Sequence, residues 1–403
     1  MAAMRLAGAF SPKVRRGLAG SREWCRQLEG AAADGRFRIH FHAASVGEFE
    51  QAKPLIDALR ASDPGYCITA SFFSPSGYEQ QRGYAALDGA CHLPRDRRGE
   101  MRAFLDRIAP DLIIVIRYDL WPEFLLEARR RGIPIVLACG VLRDGSARFY
   151  PLIRGFFRML YALPALIHAV GEDDAAAFRR LVPGCEPEVS GDTRYDRVIA
   201  RARAAADLPA FTPGLIAGRA VMVAGSTWPP DEELLKSVGE RDDLLLVIVP
   251  HEPTPDHVGG LLRSFPGAVT LSQVEQERAP ERACVIVIDR TGILSALYRI
   301  GAMAYVGGGF GDGVHSVLEP AAYGMPVFSG PGVDRSRDAA ALRDAGGLVV
   351  VRSGNELAGH VARLIDDPGA REETGNHVRA FVESRTGATG RIIGSLARRG
   401  LLR

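Results

Sequence analysis

Short apolar stretches alternating with helical runs, in two successive series, constrain the fold more than any other feature of this chain. Strand candidates in the first series are Phe37–His42, Tyr66–Phe72, Leu112–Ile116, Ile133–Cys139 and Leu166–Val170. Helical runs lie near Phe49–Arg60, Gly77–Gly83, Glu100–Ile108, Pro122–Arg131 and Asp173–Leu181. Strands that are apolar almost throughout, with helices between them, predict a parallel sheet covered on both faces. Ala200–Leu208, followed by Pro209 and Pro213, reads as a linker. The alternation restarts at Ala220–Gly225 and continues through Leu244–Pro250, Ala268–Leu271, Cys284–Asp289, Ala302–Gly307, Pro326–Ser329 and Gly347–Val351. With 403 residues the chain exceeds one compact core. It reads as α/β, with two Rossmann-like domains facing across a cleft and divided at about 205/206. Ligands are expected outside the carboxyl ends of the strands.

Composition narrows the function. A formal net charge of +2 gives no support for nucleic-acid binding. The basic runs Lys13–Arg22, Arg95–Arg102 and Arg129–Arg131 read as solvated helix faces or as local ligand contacts. Six cysteines, with no Cys-x-x-Cys pair and several in apolar runs, read as buried thiols of a reducing compartment. His40 and His42 share a strand without carboxylate or thiolate company, which favours a structural role over a metal site. No apolar run reaches the ~18 residues a membrane span needs, so the expectation is a cytoplasmic protein.

Four stretches fall where strands end and ligand groups belong. His42–Glu50 passes from a strand through Ser45-Val-Gly into a helix with Glu48 in its first turn. Such a junction offers free N–H groups and a positive dipole end to an anion, with a carboxylate suited to general-base work beside it. Ser45 and Glu48 equally satisfy a capping box. Arg117–Pro122 follows Leu112–Ile116; Pro122 suits a first helical turn, and Asp119 is placed to cap it. Ala224–Trp228 ends the first strand of the second half with small and hydroxyl residues. Gly307–Gly313 precedes His315–Pro320, where a helix expected from about Ser316 would aim its N-terminus at a phosphate and Glu319 at ribose hydroxyls. The glycines match neither a Walker loop nor a clean dinucleotide fingerprint. A glycine loop with Glu319 in one half and a helix-start carboxylate in the other suggests a nucleotide-sugar transferase, with no Asp-x-Asp pair to demand a metal.

These residues resemble the 3-deoxy-D-manno-octulosonic acid (Kdo) transferase family. The matching pieces are His42–Glu48, Phe73–Gly77, Asp119–Pro122, Gly191–Asp196, Ala224–Thr227 and His315–Pro320, in the family's order and spanning roughly residues 10–380. The resemblance implies a metal-independent, inverting GT-B enzyme that needs no cofactor. It would move Kdo from its donor substrate CMP-Kdo to a lipid A precursor at the cytoplasmic face of the inner membrane. It places Glu48 as general base, Arg194 at the position of a transition-state lysine and Asp119 at that of a glutamate. CMP would lie against Ser226, Pro250, His251, Gly308, Gly309, Ser316 and Glu319, and the last helix would pack back on the N-terminal domain. Arg117 stands where many members have an acid, and Ser316 replaces a common asparagine. The lipid acceptor makes Lys13–Arg22 and the aromatic-basic stretch Phe149–Tyr161 candidates for membrane contact; ordinary helix packing also accounts for both.

Three other readings remain open on sequence: a UDP-sugar transferase or epimerase of the same fold, a catalytically silent nucleotide- or glycolipid-binding relative, and a nicotinamide-dependent dehydrogenase using Gly307–Gly313. CMP against UDP in a binding titration separates the first. Retained Glu48 argues against the second, and nothing beyond the glycines supports the third.

Overall fold

A computed structural model describes residues 12–28, 35–204, 213–216, 218–276, 283–311 and 313–403. Of the expected linker Ala200–Leu208, residues 200–203 are the end of the helix Thr193–Arg203, because the helix runs on past the expected boundary, while 205–208 and the glycine-loop residue Asp312 lie outside the described residues. The chain divides into two compact units, Met1–Arg197 with Arg385–Arg403, and Val198–Ser384.

In the first unit the strands are β1 (Arg38–Ala43), β2 (Cys67–Phe72), β3 (Gly89–His92), β4 (Leu112–Ile116), β5 (Ile135–Gly140), β6 (Leu166–Ala169) and β7 (Glu188–Val189). They form a parallel sheet in the order β3-β2-β1-β4-β5-β6-β7. Every residue of β1, β2, β4 and β5 is buried, as expected of strands covered by helices on both sides. One face packs Phe104, Phe124, Leu137 and Phe178; the other packs Phe41, Phe49, Leu55 and Ile114. The edge strands β3 and β7 add to the strands expected from sequence.

The second unit carries β8 (Ala220–Thr227), β9 (Leu244–Pro250), β10 (Val269–Thr270), β11 (Val285–Val287), β12 (Met303–Val306), β13 (Val327–Ser329) and β14 (Leu348–Val350). Their order is β10-β11-β9-β8-β12-β13-β14, again parallel. In each sheet the order reverses beside the unit's first strand, between β1 and β4 and between β8 and β12. A crevice opens at such a switch point because the flanking connections leave to opposite faces.

The last helix, Ala388–Arg398, belongs to the first unit. Ile392 and Leu396 are fully buried in the cluster that holds Ile39 and Leu55. Asp196 fixes its start, accepting from the backbone N–H of Gly387 and Thr389 and from the Thr389 hydroxyl at 2.5–2.7 Å. A carboxylate here satisfies N–H groups that have no partner within the helix. Truncating Leu396→Ala should destabilise the first unit by about 2–5 kcal/mol, the range for emptying a buried leucine site. The measurement is the urea transition of the first unit; a shift confined to the second would contradict the assignment.

Candidate functional site

The first unit's site forms at its switch point, where β1 and β4 end side by side. Beyond β1, Ser45 leads into the helix Val46–Ser62, and Glu48 sits in its first turn, 8% exposed. Ser45 makes no side-chain cap; its hydroxyl donates to Glu48 Oε2 in a very short contact. The capping box allowed by sequence is therefore not formed. One carboxylate oxygen is anchored, and Oε1 has no partner among the described residues, the state a proton acceptor needs.

Asp119 does not cap the helix Pro122–Arg130. The backbone N–H groups of Glu123 and Phe124 donate instead to Asp96, at 3.2 and 3.0 Å. Asp119 turns the other way, its Oδ2 accepting from His42 Nε2 at 2.8 Å and from the Trp121 indole at 2.9 Å. Burial pushes the Asp119 carboxyl up, but the bonds and charge of His42 and the Trp121 bond outweigh it and hold it below the usual carboxylate range.

Behind His42 a hydrogen-bond chain runs into the sheet. His42 Nδ1 meets Ser71 Oγ, Ser71 Oγ meets His40 Nε2, and His40 Nδ1 meets Thr69 Oγ1, each at 2.9 Å. Both imidazoles are fully buried. Burial, with His42 and Arg38 adding, pushes His40 down to about 3, so it is neutral at physiological pH. Ser71 has one proton for two imidazole nitrogens, which leaves two complete arrangements. In one, Thr69 donates inward, each group donates to the next, and His42 is neutral. In the other, every internal bond reverses and His42 is an imidazolium. In both, His42 Nε2 donates to Asp119.

Arg194, near the start of the helix Thr193–Arg203, is held by Asp192. Arg194 Nη2 and Nε donate to Asp192 Oδ2 at 2.7 and 3.0 Å, and the Arg194 N–H donates to Oδ1 at 2.9 Å. Gln51, one turn after Glu48, donates to the same Oδ1 at 2.9 Å, and Thr193 Oγ1 donates to the Gln51 carbonyl at 2.7 Å. The helix that carries Glu48 and the guanidinium of Arg194 thus share one buried anchor that sequence reasoning missed.

In the second unit the site again lies at the switch point. At the end of β8 the register to β9 shifts between Gly225 and Thr227, and Ser226 takes a left-handed conformation, φ +54°. After β12, Gly307 packs against the Ser226 carbonyl and Gly309 against Gly330, where an added Cβ would lie 2.6 Å from Gly330 Cα. Only glycine permits that approach. Asp231 ties the loop down, accepting from the N–H groups of Trp228 and Gly308 and from the Tyr305 hydroxyl at 2.8–3.0 Å.

His251, just past Pro250, lies between two rings, 4.7 Å from Trp228 and 4.5 Å from His315, both stacked. Trp228 Nε1 donates to His315 Nε2 at 3.1 Å. A cavity of about 450 Å³ opens beside this stack, lined by residues including Trp228, Asp231, Gly308, Phe310 and His315.

Ser226, Pro250, His251, Gly308 and Gly309 converge on this edge. Ser316 and Glu319 are placed differently from expectation. The helix begins at Leu318, not near Ser316, because the His315 N–H still closes the loop onto the Gly307 carbonyl at 3.1 Å. Ser316 is exposed, and Glu319 pairs with Arg201 at 3.2 Å. Trp228 and Phe310 fall within the stretches Ala224–Trp228 and Gly307–Gly313 but were given no role there, and Asp231 was not singled out; Trp228-Pro-Pro-Asp231 is a helix-start signature that offered a signal for it. Among the described residues no three His, Cys, Asp or Glu side chains gather as a metal site.

Two Rossmann-like units of parallel sheet, each with its polar groups at its own switch point, define the GT-B class of glycosyltransferases and related nucleotide-sugar enzymes. The UDP-GlcNAc 2-epimerase of Neisseria meningitidis shares this fold, with a TM-score of 0.61 over 90% of this chain and 100% of that one at 14% identity. A family profile described as 3-deoxy-D-manno-octulosonic-acid transferase matches residues 14–197. The 3-deoxy-D-manno-octulosonic acid transferase of Haemophilus influenzae is 29% identical over 373 residues, 88% of this chain and 85% of that protein. The same-named protein of Rickettsia bellii is 24% identical over 84% of this chain and 82% of its own length. The first unit thus matches the Kdo transferase family profile, and the chain is similar over most of its length to proteins named as Kdo transferases.

Asp192 supplies a pH test. Burial raises its carboxyl, but the charge and bonds of Arg194, with Gln51, prevail and hold it below the ordinary range. A depressed folded-state value stabilises the fold above the unfolded pKa, and that stability is lost as pH falls through the folded one. Asp192→Asn should cost about 1–3 kcal/mol near neutrality, because the buried anchor loses the charge that the part-buried Arg194 guanidinium pairs with. It should also flatten the acid limb of stability against pH. Urea midpoints from pH 7 downward check this, and an unchanged acid limb would refute the assignment.

Proposed function

We propose that this chain is an inverting glycosyltransferase that moves Kdo from CMP-Kdo to a lipid A precursor in lipopolysaccharide inner-core synthesis, without a metal. The observation that carries the reading is the Glu48 carboxylate, one oxygen anchored by Ser45 and the other without a partner among the described residues, at the switch point of the unit that matches the Kdo transferase profile.

The acceptor hydroxyl oxygen attacks the anomeric carbon of Kdo as the bond to the CMP phosphate oxygen breaks, and Glu48 takes the hydroxyl proton. Ser45 donates to the oxygen of Glu48 that does not take the proton, which fixes the carboxylate's orientation. The leaving phosphate gains charge as the bond breaks. Arg194, preset by Asp192, is the donor that the first unit offers to it. Asp119, kept ionised and oriented by His42 and Trp121, is a second acceptor for sugar hydroxyls. CMP lies at the edge formed by Ser226, Pro250, His251, Gly308 and Gly309. Ser316 and Glu319 follow on the same segment, and Glu319 reaches ribose only by exchanging Arg201 for it.

The acceptor side of the reading rests on the helix Pro151–Tyr161. Leu152 is 96% exposed and Tyr150 61%, and Ile153, Phe156 and Met159 are exposed beside them. An amphipathic helix with its apolar face in water is suited to the boundary of a bilayer. No described helix is long and apolar enough to cross one. Of the other candidate, Lys13–Arg22, the backbone is helical within Pro12–Gln27, and the side chains before Gly20 lie outside the described residues.

The test is transfer of labelled Kdo from CMP-Kdo to a tetra-acylated lipid A precursor with chelator present. Glu48→Gln should lower kcat by about 10²–10⁴-fold, the span of a general base, while calorimetric CMP binding is retained and UDP binds more weakly. Activity surviving the substitution would remove Glu48 as base. Tighter UDP than CMP binding would point to a different nucleotide sugar. Leu152→Asp with Phe156→Asp should separately abolish flotation with liposomes; unchanged flotation would exclude this helix as the membrane contact.

A further inference from the structure

Two guanidinium groups in the first unit sit where an arginine is expensive to leave alone. Arg117 follows β4 in a left-handed conformation, φ +70°. Its N–H still donates to the Ala138 carbonyl at 2.8 Å, so the sheet bond survives the twist. Its Nε is buried without a hydrogen-bond partner. Arg148, in the short 3-10 turn Ala147–Phe149 before the apolar helix, also has a buried Nε without a hydrogen-bond partner among the described residues, and its Nη1 donates to the neutral Ser146 hydroxyl at 3.2 Å. Neither forms an ion pair among the described residues.

The same ring gathers both. The guanidinium carbons of Arg117 and Arg148 lie 5.8 and 5.7 Å from the centroid of Tyr118, a half-exposed side chain. The neighbouring carboxylate pairs with neither among the described residues; the hydrogen bonds of Asp119 come from His42 and Trp121, to its Oδ2. Two like charges around one ring repel, and burying donors without partners adds to the cost. A counter-charge from outside the chain resolves both. Arg148 also lies over Phe157, at 5.5 Å, so this basic pair abuts the helix that exposes Tyr150, Leu152, Phe156 and Met159.

We infer that Arg117 and Arg148 form a binding site for a phosphomonoester on the headgroup of the glycolipid acceptor, whose acyl chains lie along Tyr150–Met159. Arginine forks match phosphate oxygens two at a time, and two of them suit a dianion better than the single charge of a phosphodiester. An amphiphile with phosphate and acyl chains side by side is the ligand class that uses basic pair and apolar face together. The inference rests on the acceptor reading above in taking that amphiphile to be the substrate.

The test uses the full chain with two acceptors, one bearing the phosphomonoester and one dephosphorylated. Wild type, Arg117→Gln, Arg148→Gln and the double variant are compared, with thermal midpoints confirming that each is folded. For the phosphorylated acceptor, KM should rise about tenfold in each single variant, the scale of one charge-assisted contact. For the dephosphorylated acceptor KM should be high already in wild type, with no further rise. Arg148→Lys, which keeps charge but not the fork, should fall between. Equal KM increases on both acceptors, or none, would overturn the site.

If wild type transfers to neither acceptor, the functional reading fails, and the site is judged by vesicle binding. Phosphatidylcholine vesicles carrying phosphatidic acid or phosphatidylglycerol, matched for charge, are then compared. Preference for phosphatidic acid that disappears in the double variant supports a phosphomonoester site. Equal binding of the two lipids, or preference untouched by the substitutions, refutes it.

Discussion

The hydrogen bond from His42 to Asp119 is the interaction on which the first unit's site depends. It joins the ends of the two strands that define the switch point, and it orients a carboxylate at the crevice. The bond is fixed from behind by Ser71, His40 and Thr69. Residues i and i+2 of a strand share a face, so His40 and His42 stand in a row on β1 with Thr69 and Ser71 opposite them on β2. A polar row inside a sheet is tolerable because its ring nitrogens and hydroxyls find one another, and it is unforgiving because a single missing hydroxyl strands two rings.

The second unit reaches an ordered site by a different route. There, backbone closeness replaces side-chain hydrogen bonding. Glycines let Gly307–Gly309 lie against Ser226 and Gly330, Asp231 gathers the N–H groups that result, and rings from three separate segments stack over the opening. His257 and Glu232 brace the start of this wall from the side, bonded at 2.9 and 3.0 Å. Thr227 donates to the same Glu232 carboxylate at 2.9 Å. One unit presents carboxylates and arginines, the other amides and aromatic faces.

The parts of this arrangement that were legible in the sequence are those set by local patterns. Leu112–Ile116 and Leu244–Pro250 are continuous apolar runs, and both form strands with those bounds. Gly89–His92 and Glu188–Val189 lack such runs; they are edge strands recruited by β2 and β6, so tertiary pairing decides them. Asp119 looked like a helix cap because it stands three residues before Pro122. Yet the cap comes from Asp96, and Asp119 answers to a histidine 77 positions away. Ser45 and Glu48 fit a capping box by spacing alone, and their side chains pair with each other instead. Short-range spacing fixes which groups are near a strand end, and long-range contacts decide which way they turn.

The last helix has a consequence for how the molecule comes into being. Ile392 and Leu396 complete a core whose other members include Ile39, Phe41, Leu55 and Ile68. Domains on a growing chain usually fold in the order they leave the ribosome. Here the first unit's apolar face stays uncovered until residues 385–403 have emerged, after everything in Val198–Ser384. The half synthesised first is therefore the half that matures last. A chain cut before Arg385 keeps every residue of the second unit and leaves the first unit's hydrophobic surface exposed to chaperones and proteases.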